Sequence, residues 1–237
     1  MNNKLSEALG ASNPRAAQAI VPRLIALFHP ASVMDYGCGS GTWVEEFRRL
    51  GVKADGVDLK PPPGSGYGIL DLRLGFPKPV ADMALCLEVA EHLPEDRAHA
   101  LVSSLCRSRV VVFSAAIPFQ GGWGHVNEQW PDYWAHKFAK LGYECSEQLR
   151  EEIWSDTSIA WWYRQNLLIF ASPETLKEMS KLPCYLVKTS LPARLVHPAL
   201  WEKPGLMSIA SRMRPLCATA FWIGAVWLMV FYLWRYL

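Results

Sequence analysis

Apolar positions recur at helical spacing near the start of the chain, where Ala17, Ile20, Val21, Leu24, Ile25 and Phe28 fall on one stripe. Asn13-Pro14 supplies a capping residue and then proline at the first helical position, and His29-Pro30 ends the segment. A short buried strand is expected over residues 32–36, running into a glycine-rich turn. Residues 42–50 read as a helix, with Trp43, Val44, Phe47 and Leu50 inward and Glu45, Glu46, Arg48 and Arg49 mostly outward. A second strand is expected over 53–59. Residues 81–87 (ADMALCL) are almost continuously apolar, as a parallel strand covered on both faces should be. A helix over 94–106 and a buried strand over 109–114 (RVVVFS) follow. Beyond them the pattern predicts a helix over 127–141 despite Pro131, and strands over 143–149 and 162–171 that pair as an antiparallel edge.

This alternation predicts an α/β fold over residues 14–171: a doubly wound, Rossmann-like, mostly parallel sheet with an antiparallel C-terminal edge strand. Residues 172–215 read as a linker or surface strap, broken by Pro173, Pro183, Pro192, Pro198 and Pro204. One segment fits poorly. Only about eight residues separate Asp58 from a third strand at 67–71, where a parallel crossover normally needs about a dozen. They include Pro61, Pro62, Pro63, Gly64 and Gly66, so either the usual helix is missing or the third strand is irregular.

With 237 residues the chain is long enough for one well-buried domain and an appendage. A net charge of +2 gives no electrostatic footprint for nucleic acid, which is not expected as a partner. Cys38, Cys86, Cys106, Cys145, Cys184 and Cys217 are scattered without a CxxC pair, which suits a reducing compartment rather than a zinc ribbon. The N-terminus lacks the apolar core of a signal peptide, so the globular body is expected in the cytoplasm.

The chemistry starts at Asp35-Tyr36-Gly37-Cys38-Gly39-Ser40-Gly41, between a predicted strand and a predicted helix. Glycines there permit positive φ and let a ligand approach backbone amides. A dinucleotide turn reads G-x-G-x-x-G, with a pyrophosphate at the helix N-terminus. Here the third glycine comes one residue early and an acid precedes the first. That suits a ligand with cationic ammonium and sulfonium groups and no phosphate, and it disfavours a nicotinamide-dependent oxidoreductase. Asp58, at the end of the next strand, can accept both ribose hydroxyls, and Asp71 can bond an adenine amino group.

VMDYGCGSGTW, GVDL and CLEVAEHL resemble the first, second and fourth motifs of class I S-adenosylmethionine-dependent methyltransferases. GVDLK, SAAIPFQGGWGHVNEQWPDYW and WWYRQNLLIFA are also similar to a group of bacterial and phage methyltransferase-domain proteins. The resemblance covers roughly residues 14–171. It implies that Asp35, Gly37, Gly39 and Gly41 hold the methionine part of S-adenosyl-L-methionine and that Asp58 holds the ribose. It also implies that Asp71 and Leu72 lie near the adenine, and that Leu87 and Glu88 line the methyl-transfer cleft.

Glu88, Glu91 and His92 form E-x-x-E-H directly after the fourth predicted strand. At i, i+3 and i+4 they would share one helical face, and His125 after the fifth strand would reach the same crevice. Two carboxylates and two imidazoles can hold Mg²⁺, Mn²⁺ or Zn²⁺ and acidify an acceptor hydroxyl. The triplet is similar to that of ubiquinone-biosynthesis O-methyltransferases and of small-RNA 2′-O-methyltransferases, which implies Glu88, Glu91, His92 and His125 as ligands. In the metal-free alternative the carboxylates are polar residues beside a solvated cleft, and His92 or His125 is the general base. Gln120, Asn127 and Glu128 would then shape the acceptor pocket, with Trp123, Trp130 and Trp134 as its wall or as plain core.

Residues 216–234 (LCATAFWIGAVWLMVFYLW) carry no charge and meet the length of a bilayer span. With Arg212 and Arg214 before and Arg235 after, they predict a single-pass C-terminal transmembrane helix that holds the catalytic domain on the cytoplasmic side. Burial in the protein or in a dimer interface is the alternative. The expected activity is methylation of a hydroxyl on a small-molecule, lipid-linked or glycan acceptor, the acceptor itself being membrane-associated. A non-catalytic cofactor-binding scaffold at the membrane is the competing reading.

Overall fold

In the computed structural model residues 3–77, 80–179, 189 and 191–201 are described. Seven strands form one sheet: β1 Ser32–Tyr36, β2 Lys53–Asp58, β3 Gly68–Ile69, β4 Met83–Leu87, β5 Val110–Ser114, β6 Glu144–Ser146 and β7 Leu168–Ala171, in the order β3-β2-β1-β4-β5-β7-β6. The strands are parallel except β7, which runs antiparallel to β5 (Val111 opposite Phe170) and to β6 (Cys145 opposite Phe170). The expected C-terminal antiparallel strand is therefore present, one place in from the edge. Strand order reverses at β1 and β4, so their carboxyl ends open the crevice where ligands of such sheets bind.

Alternate side chains along each strand feed two cores. On one face Val33, Leu85, Val112 and Ile169 pack with Ile20, Leu24 and Phe28 of helix α1 (Asn3–Phe28) and with Trp43, Val44 and Phe47 of α2 (Thr42–Arg49). On the other, Met34, Ala84, Phe113 and Phe170 pack with Leu101 and Leu105 of α3 (Ala98–Leu105) and with Trp134 and Phe138 of α4 (Pro131–Ala139). Phe138 stacks on Phe170 with ring centroids 3.8 Å apart, and Phe113 meets both edge-on. Trp134 is thus core.

Several elements differ from the sequence pattern for identifiable reasons. Helix α1 starts at Asn3 rather than at Asn13-Pro14 and carries Pro14 and Pro22 within it. The fully buried stripe Ala16, Ala17, Ile20, Val21 and Leu24 outweighs the hydrogen bonds that two prolines forgo. The helix expected from residue 94 breaks into 3₁₀ turns at Ala90–His92 and Glu95–Arg97 before α3. Leu93 between them is extended (φ −98°, ψ 138°), as a residue before proline tends to be. Beyond β2 both alternatives hold, since no helix separates it from β3 and β3 is two residues long.

Helix α4 starts at Pro131, later than residue 127. Residues expected as strand over 143–149 give β6 and then α5 (Gln148–Ile153), and 162–171 gives α6 (Trp161–Asn166) before β7. The strand-like composition of Trp161-Trp162-Tyr163 yields to burial of Tyr163, Arg164, Gln165 and Asn166 on a helical turn. After β7 come α7 (Pro173–Met179) and a return across β6, where the Thr189 amide bonds the Cys145 carbonyl at 2.8 Å. Ala193 bonds Glu147, and Arg194 grips Asp132 with two hydrogen bonds of 2.9 and 2.7 Å. A separate unit begins at His197, of which α8 (Pro198–Trp201) is described. The apolar run 216–234 lies outside the described residues, among which no helix is long and apolar enough to cross a membrane.

Candidate active site

At the end of β1 the chain turns through Gly37 (φ 82°), Gly39 (φ 53°) and Gly41 (φ 83°), a conformation L side chains rarely adopt. Two of these glycines are also needed for space. A Cβ on Gly37 would fall 2.5 Å from Val89 Cγ2, and one on Gly41 would overlap the ring of Tyr67. Val57 at the end of β2 accepts the amides of Gly37 and Cys38 at 2.8 and 3.0 Å. Asp58 then ties the turn down, its Oδ2 accepting the Gly39 amide and its Oδ1 the Lys60 amide, both at 2.9 Å. Tyr67 closes the floor and donates to Glu45 at 2.5 Å.

Asp35 is buried beneath this turn, and its Oδ2 has no hydrogen-bond partner. Burial, reinforced by the nearby Asp58 charge, pushes its pKa up from 3.8 to about 7. Through this group alone, the free protein loses stability as pH rises from 3.8 to about 7, because the folded state holds the proton more tightly than the unfolded chain. A cation placed beside Asp35 needs the ionised form. Affinity for a cationic ligand is therefore expected to rise with pH, by at most about tenfold per unit, and to level off above about 7. Calorimetric titration across that range tests this. Asp35→Asn should flatten the profile, whereas a flat profile in the parent would contradict the assignment.

Asp71 follows β3 with its carboxylate bound in a fork by Arg73, whose hydrogen bonds hold its pKa below the usual range. Leu72 and Leu87 are buried, the latter at the crevice end of β4.

On the other side of the crevice the E-x-x-E-H residues do not lie on one helical face. Glu88 takes a left-handed backbone (φ 56°), and Glu91 and His92 sit in the 3₁₀ turn. Three of the four expected ligands converge: ligand atoms of Glu91, His92 and His125 lie within 4.8 Å of one another. Glu88 is not in that group. Its Oε2 accepts Gln120 Nε2 at 3.1 Å and its Oε1 accepts Asn166 Nδ2 at 3.0 Å.

Glu91 is fully buried and no donor makes a well-formed hydrogen bond to either carboxylate oxygen, with only its own amide and that of Ala116 nearby. Burial, with Glu88 nearby, drives its pKa well above the usual carboxylate range. The imidazoles of His92 and His125 meet edge to face with centroids 4.9 Å apart. His92 Nδ1 faces the Gly124 carbonyl at 3.2 Å, and His125 Nδ1 faces Glu128 Oε1 at 2.8 Å. Those acceptors select the Nδ1–H tautomer and leave Nε2 of each ring as the lone-pair donor, the outer-shell arrangement of metal-ligating histidines. Burial lowers the His92 pKa, with His125 adding to it against the Gly124 hydrogen bond.

The loop 119–128 that delivers His125 is closely tied. Glu128 accepts the amides of Phe119 and Gly121, and the Glu91 carbonyl accepts those of Val126 and Asn127. Phe119, Trp123 and Val126 nevertheless stand exposed on it, Trp123 by 85%. The residues that sequence reasoning missed are Gln165 and Asn166. Their signal was a carboxamide pair set in the apolar run WWYRQNLLIFA.

Residues 10–166 match the family model described as a methyltransferase domain. A search of curated proteins finds no match. Among solved structures, the magnesium protoporphyrin IX methyltransferase of Synechocystis PCC 6803 with bound SAH aligns with a TM-score of 0.52 at 17% identity, covering 73% of this chain and 88% of that one. A SAM-dependent methyltransferase from Archaeoglobus fulgidus aligns with a TM-score of 0.49 at 20% identity, covering 67% and 93%. With the acid-led glycine turn, the strand order and this match together, the chain belongs to the methyltransferase domain family and is a class I S-adenosylmethionine-dependent methyltransferase.

Proposed function

We propose that the enzyme methylates a hydroxyl group, with a divalent cation held by Glu91, His92 and His125. One observation carries this reading: a fully buried carboxylate without a well-formed hydrogen bond faces two imidazoles whose outer nitrogens are already engaged. An uncompensated buried carboxyl costs several kcal/mol as an anion, so a cation is the partner its surroundings fit. One carboxylate and two imidazoles leave open positions and suit Mn²⁺ or Zn²⁺, with Mg²⁺ as the harder alternative. When bound, the ion supplies Lewis acidity that lowers the pKa of an acceptor hydroxyl.

The chain's own residues do the rest. Asp35 and the glycine turn hold the methionine half of the donor, and Asp58 holds the ribose. The acceptor oxygen forms its bond to the methyl carbon as the carbon–sulfur bond breaks, and the electron pair stays on sulfur as a neutral thioether. With no ion bound, the Nε2 lone pair of His92 is the proton acceptor, and the lowered pKa of that ring keeps it neutral near pH 7. With the ion bound that lone pair is a ligand, and the hydroxyl proton passes to solvent. Phe119, Trp123 and Val126 give the acceptor side an apolar rim. Together with the apolar run 216–234, they support an acceptor with an apolar portion, lipid-linked or otherwise membrane-associated, and a protein anchored at a membrane with this domain on the cytoplasmic side.

Titrating Mn²⁺ or Zn²⁺ into the protein should give stoichiometric binding that Glu91→Ala abolishes. Binding no tighter in the parent than in that variant would sink the metal and leave His92 as base alone.

A further inference from the structure

Behind Glu88 lies a group of carboxamides that the metal reading does not use. Gln120 comes from the segment after β5, and Gln165 and Asn166 from the end of α6 just before β7. All three are buried. Gln165 Nε2 donates to Gln120 Oε1 at 3.0 Å and to Asn166 Oδ1 at 2.9 Å, and Asn166 Nδ2 also lies 3.0 Å from Gln120 Oε1. Two of these amides then reach out, one to each oxygen of Glu88.

The carboxylate so held is neither core nor free surface. Glu88 is partly exposed, and its amide is fixed by Ser114 through the carbonyl at 3.0 Å and the hydroxyl at 3.1 Å. Its backbone has a positive φ, which is strained for a non-glycine residue and persists only where the surroundings impose it. A network that served packing alone would not need to end in a strained, partly exposed acid. The position also matters. Val89, the next residue, presses on Gly37 of the donor turn, and β4 adjoins β1 with Leu85 opposite Asp35. Glu88 thus follows the strand that adjoins the donor turn, one residue before the side chain that packs on Gly37.

We propose that Gln120, Gln165 and Asn166 are positioning residues that fix the Glu88 carboxylate beside the donor's sulfonium, so that the site prefers the charged donor to its neutral thioether product. The donor carries a positive charge at sulfur that is lost when the methyl group leaves. Burial raises the Glu88 pKa while the hydrogen bonds from Asn166 and Gln120 lower it, and a sulfonium alongside favours the ionised form. An anion so held favours the reactant and helps expel the product. This rests on the donor site already assigned and not on any acceptor or metal.

The test compares the affinities of S-adenosylmethionine and S-adenosylhomocysteine by calorimetry on the intact chain. Glu88→Gln, which keeps the shape, should reduce the preference for the charged ligand about five- to tenfold while changing affinity for the neutral one by less than about twofold, the size expected of a half-screened charge pair. Asn166→Ala should shift the ratio the same way by a smaller factor, and its melting temperature reports whether it still folds. An unchanged ratio in Glu88→Gln, or equal losses for both ligands, would overturn the proposal. Failure of the parent protein to bind either ligand would overturn the donor assignment itself, and the proposal with it.

Discussion

Asp58→Ala is expected to weaken S-adenosylmethionine binding by about 100-fold or more, since charge-assisted hydrogen bonds contribute about 1.5–3 kcal/mol each. In the structure the carboxylate is already engaged on one side, where its two oxygens take the amides of Gly39 and Lys60. Each oxygen keeps a second lone pair for a ribose hydroxyl. Alanine therefore removes the ribose acceptors and also releases Gly39 from the conformation the donor needs. Asp58→Asn should fall between, because an amide oxygen can still accept one backbone N–H while its NH₂ faces the other. Calorimetry on the three proteins measures this directly. Affinity within threefold of the parent in Asp58→Ala would remove Asp58 from the donor site.

The second large effect belongs to the acceptor side. Glu91→Ala and His125→Ala should each lower turnover by about 10²–10³, the range for losing a positioned acid–base or metal-ligating group, with donor affinity nearly unchanged. Stability separates this from collapse of the core. Glu91 is buried without a well-formed hydrogen bond, so its removal relieves an uncompensated polar group and should leave the melting temperature level or raised. His125→Ala frees Glu128, which still holds the amides of Phe119 and Gly121, so the loop should keep its shape. Activity lost together with stability in Glu91→Ala would mark that residue as structural.

The glycine turn and its carboxylates were legible in sequence because their geometry is local. Asp35, the three glycines and Asp58 lie on adjoining strands and short turns, where spacing alone predicts who meets whom. The cluster around Glu91 depends on tertiary detail. E-x-x-E-H suggested one helical face, but Glu88 adopts a left-handed backbone and Val89 is not helical, so the 3₁₀ turn begins only at Ala90. That separates Glu88 from Glu91 and His92 and hands it to amides from two distant segments. Gln165 and Asn166 could be found only after folding, since their partners lie 45 and 78 positions away. Propensity misled at the start of the strand expected over 162–171 for a similar reason: Trp162 and Tyr163 favour a strand, yet burial of Tyr163, Arg164, Gln165 and Asn166 sets this stretch on a helical turn. After β2 the run Pro61-Pro62-Pro63 left two alternatives open, a missing crossover helix or an irregular third strand, and both hold.

Methyl transfer is read from the fate of the methyl group. Its most direct measurement incubates the intact protein with S-adenosylmethionine labelled in the methyl group and a membrane extract, then follows where the label goes. S-adenosylhomocysteine should form and the label should enter an extractable product as a methyl ether, with neither appearing for Asp58→Ala. Tight binding of the donor with no labelled product in any acceptor fraction would contradict methyl transfer and leave a cofactor-binding scaffold.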